Sequence, residues 1–176
     1  MIKKLAAIGL LSHSRYRGVR LTRAGRAAAL EVIRHHRLVE TYLVEALWVP
    51  WDAVHAEAEV LEHVLSEDLE ERIAQQLGDP TRDPHGHPIP TKDLKLFDRA
   101  GRSLWSSGDG DRVTVERVSD EEPEVLRFLG SAGIRPGTRV TIVRRGPLDG
   151  PLFISIDRSS SEIALSREVA ENIWVA

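Results

Sequence analysis

Cysteine is absent from this 176-residue chain. Neither disulfide bonds nor thiolate metal sites can therefore form, which fits a protein of the cytoplasm. Long hydrophobic runs are also missing, and none approaches the roughly 20 residues that a helix needs to cross a membrane. The first residues, MIKK, lack the apolar core and the small-residue cleavage site of a secretory signal peptide. The sequence therefore predicts a cytoplasmic protein that has no membrane partner.

Acidic residues are missing from the first 30 positions. That stretch holds seven basic residues: Lys3, Lys4, Arg15, Arg17, Arg20, Arg23 and Arg26. The rest of the chain has 17 Lys or Arg against 27 Asp or Glu, and the net charge of the whole is −3. A basic end on an acidic body indicates an anionic partner at that end, with nucleic acid as the first candidate. The alternative is a solvated basic surface that has no ligand.

The first half of the chain has helical periodicity. A short predicted helix over residues 1–7 is followed by a basic hairpin over residues 10–21. Thr22 is expected to cap a long helix from Arg23 to about Leu47, and Ser66 is expected to start the last of two shorter helices. Residues 79–90 contain four prolines, which exclude a regular helix or a central strand.

The second half changes to a period of two residues. Residues 91–110 are polar and end in SSGDG, which is typical of a linker. Several short apolar-polar alternations follow in the last 65 or so residues, with Pro-Gly and Gly-Pro turns between some of them. This pattern predicts a small β-barrel.

Six potential metal ligands lie on the two helices on either side of Trp48 to Trp51. They are His36 and Glu40 on the first helix and His55, Glu59, Glu62 and His63 on the second. Helical spacing places the members of each set on one face. Imidazole and carboxylate ligands without sulfur suit Mn²⁺ or Fe²⁺, and zinc or cobalt would also bind them. The alternative is a charged, solvated helix face.

Metalloenzymes use other ligand patterns on helices. The Glu-x-x-His pairs of di-iron bundles and the His-Glu-x-x-His motif of zinc proteases are both absent from these helices. A metalloenzyme would also need a second catalytic group, which the sequence does not offer. His85-Gly86-His87 lies between prolines, and a rigid loop that packs on the helices is favoured over a second metal site.

Five segments resemble the diphtheria-toxin-repressor family of iron- and manganese-dependent regulators. They are LTRAG at 21–25, HHRLVE at 35–40, VHAEAE at 54–59, LEHVLS at 61–66 and DPHGHPIP at 83–90. The last 65 residues are similar to the SH3-like barrel of that family and to ferrous iron transport accessory proteins.

This resemblance implies a mainly α fold with a C-terminal β-barrel. Residues 1–22 would be the end of the recognition helix and the wing of a winged helix-turn-helix. Residues 23–95 would be a helical metal-binding and dimerisation domain, 96–110 a linker and 111–176 the SH3-like domain. The chain would then begin inside the recognition helix and lack most of the helix-turn-helix that reads DNA bases.

The resemblance also assigns roles to residues. His36, Glu40 and His55 match the ancillary metal site, whereas Glu59, Glu62 and His63 match the primary, activating site. Glu59 stands where the iron repressors have Cys, which favours Mn²⁺. Glu122 is the expected ligand from the barrel.

The predicted function is a homodimeric, Mn²⁺- or Fe²⁺-dependent transcriptional regulator of metal-homeostasis genes, and not an enzyme. Its divalent metal is the effector, and its partner is double-stranded operator DNA. Five basic residues are expected to contact DNA phosphates: Lys3, Lys4, Arg15, Arg17 and Arg20. The alternative is a truncated metal-binding dimerisation module without specific DNA binding.

Overall fold

A computed structural model of the chain describes residues 1–14, 18–98, 101–119, 122–157 and 161–176. The N-terminal half contains α1 (Ile2–Ala7), β1 (Leu11–Ser14), β2 (Gly18–Leu21), α2 (Arg23–Leu47), α3 (Val54–Leu61) and α4 (Glu67–Gln76). The C-terminal half contains β3 (Arg102–Ser103), a 3-10 turn (Leu104–Ser106), β4 (Arg112–Val118), α5 (Pro123–Ser131), β5 (Arg139–Arg145), β6 (Leu152–Ile156), β7 (Glu162–Leu165), α6 (Arg167–Glu171) and β8 (Ile173–Val175). In the described ranges, no helix combines the length and the apolar character that crossing a membrane requires.

The basic N-terminal segment is fixed onto the start of α2. Strands β1 and β2 form the predicted antiparallel hairpin, with Leu11 opposite Leu21. Thr22 caps α2 as expected: its Oγ1 accepts a hydrogen bond from Gly25 N at 3.0 Å and donates one to Gly9 O at 2.7 Å. A Cβ atom at Gly25 would lie 2.0 Å from Leu10 O, so only glycine allows this close approach.

The long helix α2 is the centre of the helical half. It contributes Leu38 to one buried cluster with Ile73 and Ala74 of α4. It contributes Val39 and Leu43 to a second cluster, against α3. Because α2 packs against both neighbours, a polar residue on its inner side is removed from water and needs a partner there.

The proline-rich loop over residues 79–91 packs on α2, as predicted. The Arg34 and Arg37 guanidinium groups donate to the carbonyl oxygens of Pro90 and Pro88, at 2.7 and 2.6 Å. Asp83 Oδ1 accepts hydrogen bonds from the main-chain N–H groups of His85 and His87, both at 2.9 Å. These bonds hold one loop conformation without regular secondary structure.

The C-terminal half is built on a six-stranded sheet in the order β3-β8-β4-β5-β6-β7. Among the strands that the structure describes, β3 and β7 each pair on one side only, so the sheet is open and the predicted closed barrel is not confirmed. Its core contains alternate strand residues, such as Val113, Val115, Ile142 and Ile154, with Leu126 and Leu129 of α5. Residues 102–106, inside the predicted linker, form β3 and the 3-10 turn instead.

Candidate metal centre

The end of α2 brings the next helix back alongside it. Trp48 adopts a left-handed conformation (φ 61°) at the C-terminus of α2, and Val49 N donates to Leu43 O at 3.0 Å. Pro50 follows, and α3 begins at Val54. The reversal places His55, near the start of α3, against His36 and Glu40 of α2.

The first ligand group is formed by His36, Glu40 and His55. His36 Nε2 lies 3.0 Å from both Glu40 Oε1 and His55 Nδ1, and His55 Nδ1 lies 3.1 Å from Glu40 Oε1. Three electron-rich atoms therefore face one another beside the fully buried Glu40 carboxylate, and the His55 side chain, 42% exposed, leaves the group accessible to solvent. Such a cluster is stable only when a proton or a cation lies between its members.

A second ligand group uses the other oxygen of Glu40. The atoms that Glu40, Asp83 and His85 offer all lie within 4.8 Å of one another, and the three side chains are fully buried. Glu40 Oε2, Asp83 Oδ2 and His85 Nδ1 have no hydrogen-bond partner. His85 Nε2 must donate to the main-chain oxygen of Trp51 at 2.7 Å, because a carbonyl oxygen only accepts. In the neutral imidazole, Nδ1 then presents a lone pair to the two carboxylates.

Sequence reasoning missed this second group. The sequence favours a rigid packing loop for His85 and does not single out Asp83 as a ligand. The two-residue spacing of an acid and a histidine in DPHG was the available signal. It did not show that the loop folds back onto Glu40, more than 40 positions earlier in the chain.

Of the predicted primary-site residues, only Glu62 joins the first group. Its Oε2 lies 2.7 Å from His36 Nδ1. Helix α3 ends at Leu61, so Glu62 caps the helix and His63 lies in the following turn. The His63 side chain is 74% exposed, and its Nε2 lies 3.7 Å from Glu62 Oε1. Glu59 is exposed on α3.

The remaining predicted site residues lie elsewhere. Glu122 is exposed at the start of α5 and lines a small cleft with Ser119 and Glu168, so the structure does not bring it to either ligand group. Lys3, Lys4 and Arg20 are exposed on α1 and the hairpin. Arg15 and Arg17 lie outside the described residues.

The electrostatics of the two ligand groups show which side chains hold protons. Burial by itself lowers the pKa of the His36 imidazole, but Glu40 and Glu62 outweigh it and raise the pKa to about 9. Burial likewise acts to lower the pKa of His85, and Glu40 reverses the direction and raises it. Burial by itself raises the pKa of the Glu40 carboxyl, but His36 and His85 hold it well below its ordinary value. Glu40 is therefore an anion between two imidazoles.

These residues fit a divalent cation. Arg37 Nε lies 3.5 Å from Asp83 Oδ2 and balances part of the charge, but Glu40 Oε2 and His85 Nδ1 are buried without a hydrogen bond, which favours a positive charge between them. All the donors are nitrogen or oxygen, the ligand types that Mn²⁺ and Fe²⁺ bind in proteins.

Comparison with known proteins agrees with this interpretation. Residues 22–91 match the family model of the iron dependent repressor metal binding and dimerisation domain, and residues 105–176 match the FeoA domain. A solved manganese-dependent transcriptional repressor in complex with manganese is 44% identical, with a TM-score of 0.92 over 99% of this chain and 81% of that one. This chain belongs to the diphtheria-toxin-repressor family. Members of the family are transcriptional repressors rather than enzymes.

Two further repressors are also similar to this chain. The iron-dependent repressor IdeR of Mycobacterium tuberculosis (strain ATCC 25618 / H37Rv) is 35% identical over 153 residues, which are 80% of this chain and 66% of that protein. The alignment thus spans slightly less than two thirds of that repressor. ScaR, solved with bound Cd²⁺, is 31% identical with a TM-score of 0.83, over 99% of this chain and 81% of that one.

Proposed function

We propose that this chain is the metal-sensing and dimerising part of a Mn²⁺- or Fe²⁺-dependent transcriptional repressor that acts on operator DNA. One observation carries the proposal. The buried Glu40 carboxylate directs Oε1 to His36 and His55, and its Oε2 lies 3.9 Å from the buried Nδ1 of His85. A single carboxylate that serves two histidine-containing groups is arranged to bridge two cations, whereas a charged surface face would be solvated.

The ions would be held by this chain's own side chains. His36, Glu40 and His55 would bind one ion, and Glu40, Asp83 and His85 would bind the other. When bound, a divalent ion would take the place of the proton on His36 and supply a larger positive charge to the carboxylates. Glu59, Glu62 and His63 are proposed as the primary, activating site, as the family resemblance implies.

Manganese is the preferred ion in this proposal. The ligand atoms are nitrogen and oxygen throughout, and the chain has no cysteine. The manganese-dependent repressor cited above is also more similar to this chain, at 44% identity, than the iron-dependent repressor at 35%. Iron is the second candidate, because the two ions differ little in their preference for such ligands.

An apolar groove supports the proposal of a homodimer. It lies between the second half of α2 and the helices α3 and α4. Its wall includes side chains that water reaches, such as Leu47 (57% exposed), Leu61 (39%), Val64 (79%) and Leu69 (48%). An exposed apolar surface of this kind is typical of a protein interface, and a second copy of the chain would bury it.

The basic N-terminal segment supports the proposal of DNA binding. Lys3, Lys4 and Arg20 are exposed on α1 and the β1–β2 hairpin. We propose that they contact DNA phosphates together with Arg15 and Arg17. A gel-shift titration on an operator at several salt concentrations tests this: phosphate contacts predict binding that weakens steeply as salt increases. Absence of any salt-sensitive binding would favour the alternative, a metal-binding dimerisation module without DNA function.

Calorimetric titration with Mn²⁺ tests the metal centre. In the parent chain the two groups that share Glu40 should bind one ion each, in addition to an ion at the proposed primary site, and Glu40→Gln should lose the first two, because it removes the shared carboxylate charge. Glu45→Gln is the matched control, since Glu45 is exposed on the same helix. Circular dichroism should show that both variants are folded. Equal Mn²⁺ binding by the parent and Glu40→Gln would contradict the proposal.

A further inference from the structure

Trp51 connects the second ligand group to the C-terminal half of the molecule. Its ring is buried, with 4% of its surface exposed, and belongs to the same core cluster as the sheet residues. On one side the Trp51 ring stacks on His85, with centroids 5.5 Å apart and an angle of 24° between the planes. The main-chain oxygen of Trp51 accepts the hydrogen bond from His85 Nε2. Trp51 therefore determines both the orientation and the tautomer of His85.

The other side of the Trp51 ring is held by the C-terminal half. The guanidinium carbon of Arg135 lies 4.3 Å from the ring centroid. Gly130 on α5 packs against the indole so closely that an added Cβ would lie 2.8 Å from Nε1. Beside this contact, Arg127 Nε donates to Asp52 Oδ2 at 3.1 Å. The position of the indole therefore depends on α5 and the loop that follows it.

The main chain around His85 makes a second connection to the sheet. His85 O accepts a hydrogen bond from Val118 N on β4 at 2.9 Å. A Cβ atom at Gly86 would lie 2.1 Å from Glu116 O, so the loop packs directly on the β4 backbone. The ring and the main chain of His85 are thus both positioned by groups that contact the C-terminal half.

We propose that Trp51 is a positioning residue through which the C-terminal half sets the ion affinity of the Glu40–Asp83–His85 group. This inference rests on the proposed function. Histidine ligands usually donate their second ring N–H to a carbonyl or carboxylate, and loss of such a partner typically costs 10–100-fold in metal affinity. Here the partner is a carbonyl whose position is fixed by contacts from a different part of the chain. Because linkage is reciprocal, an ion in this group stabilises the docked C-terminal half to the same extent.

The experiment is a Mn²⁺ titration of the full chain in a His55→Gln, Glu59→Gln background, which removes one ligand from the first group and one from the proposed primary site and leaves the second group complete. Trp51→Leu removes the stacking surface and should weaken binding about 10-fold. Trp51→Phe keeps an aromatic ring stacked on His85 and should restore most of the lost Mn²⁺ affinity. A purely structural role for Trp51 would lower thermal stability in both variants without separating their ion affinities.

A second pair of variants acts from outside the metal pocket. Arg135→Ala removes the cation above Trp51 and should weaken ion binding about 2- to 5-fold, the factor that corresponds to an exposed cation–π contact. Arg139→Ala is the matched control, since Arg139 is an exposed arginine on β5. Arg135 is exposed, so the Arg135→Ala variant should stay folded. This pair therefore tests the inference in the event that Trp51→Leu does not fold.

The outcomes separate this inference from the proposed function. Unchanged affinity in Arg135→Ala and in folded Trp51→Leu, with normal binding by the parent, would overturn the positioning role alone. A parent chain that binds no Mn²⁺ would overturn the proposed function and this inference together. Loss of affinity in Trp51→Leu and Arg135→Ala, but not in Arg139→Ala, is the expected result.

Discussion

Raising the pH from 6 to 9 should strengthen Mn²⁺ binding by this chain, because a proton occupies His36 where the ion would bind. In the metal-free protein His36 Nε2 faces Glu40 and His55, and Nδ1 faces Glu62. The two carboxylates stabilise the imidazolium form. A metal ion needs the neutral imidazole, so it must displace that proton.

The size of the effect follows from the pKa of His36, which is about 9 instead of the ordinary 6.5. The proton reduces the apparent affinity by about 100-fold at pH 7 and about 10-fold at pH 8, since each unit below the pKa costs a factor of 10. A histidine with the ordinary pKa would reduce the affinity by less than about 2-fold at pH 7. The logarithm of the affinity should therefore increase by about one per pH unit up to about pH 9.

Two measurements check this reasoning. Calorimetry at pH 7 in buffers of different ionisation enthalpy should show release of about one proton for the ion that binds His36. An NMR titration of the metal-free chain should give the pKa of His36 directly, with the resonance assigned by its loss in His36→Gln. Glu62→Gln removes one of the two carboxylates and should lower the pKa of His36. Mn²⁺ affinity that stays constant between pH 6 and 8 would refute the argument, as would an NMR pKa near 6.5 in the parent.

Further predictions concern stability and assembly. Because the folded-state pKa of His36 is raised, its contribution to metal-free stability is complete below about pH 6.5 and should disappear as the pH rises through about 9, which urea unfolding at several pH values measures. Leu38→Ala, at a fully buried position, should lower the free energy of unfolding by about 2–5 kcal/mol, whereas Val32→Ala, half exposed on the same helix, should cost less than about 1 kcal/mol. Equal losses in these two variants would contradict the packing that we describe for α2. Val64→Glu should convert the proposed dimer to a monomer in light scattering, and Val60→Glu, which lies outside the groove, should not. A dimer that survives Val64→Glu would exclude this groove as the interface.

Features that depend on near neighbours in the chain were predicted from the sequence. Helix α2 runs from Arg23 to Leu47 as expected, because Thr22 caps its first turn and the apolar spacing continues to its end. Ser66 caps α4 in the same way, with its side chain accepting from Leu69 N. His36 and Glu40 are one helical turn apart, so their contact also follows from spacing alone.

Features that depend on distant parts of the chain were decided by the tertiary structure. Asp83 and His85 reach Glu40 only because Arg34 and Arg37 hold the proline-rich loop on α2. Periodicity indicated strands in the C-terminal half, but it did not show that β3 and β7 remain edges of an open sheet.

The amino-acid sequence by itself determined helices α2 and α4, their side-chain caps and the ligand types, since local spacing and hydrogen bonding fix these. It did not determine which ligands share an ion, or that Trp51 links His85 to the sheet. Those contacts join residues 15 or more positions apart, and only packing of the whole chain brings them together.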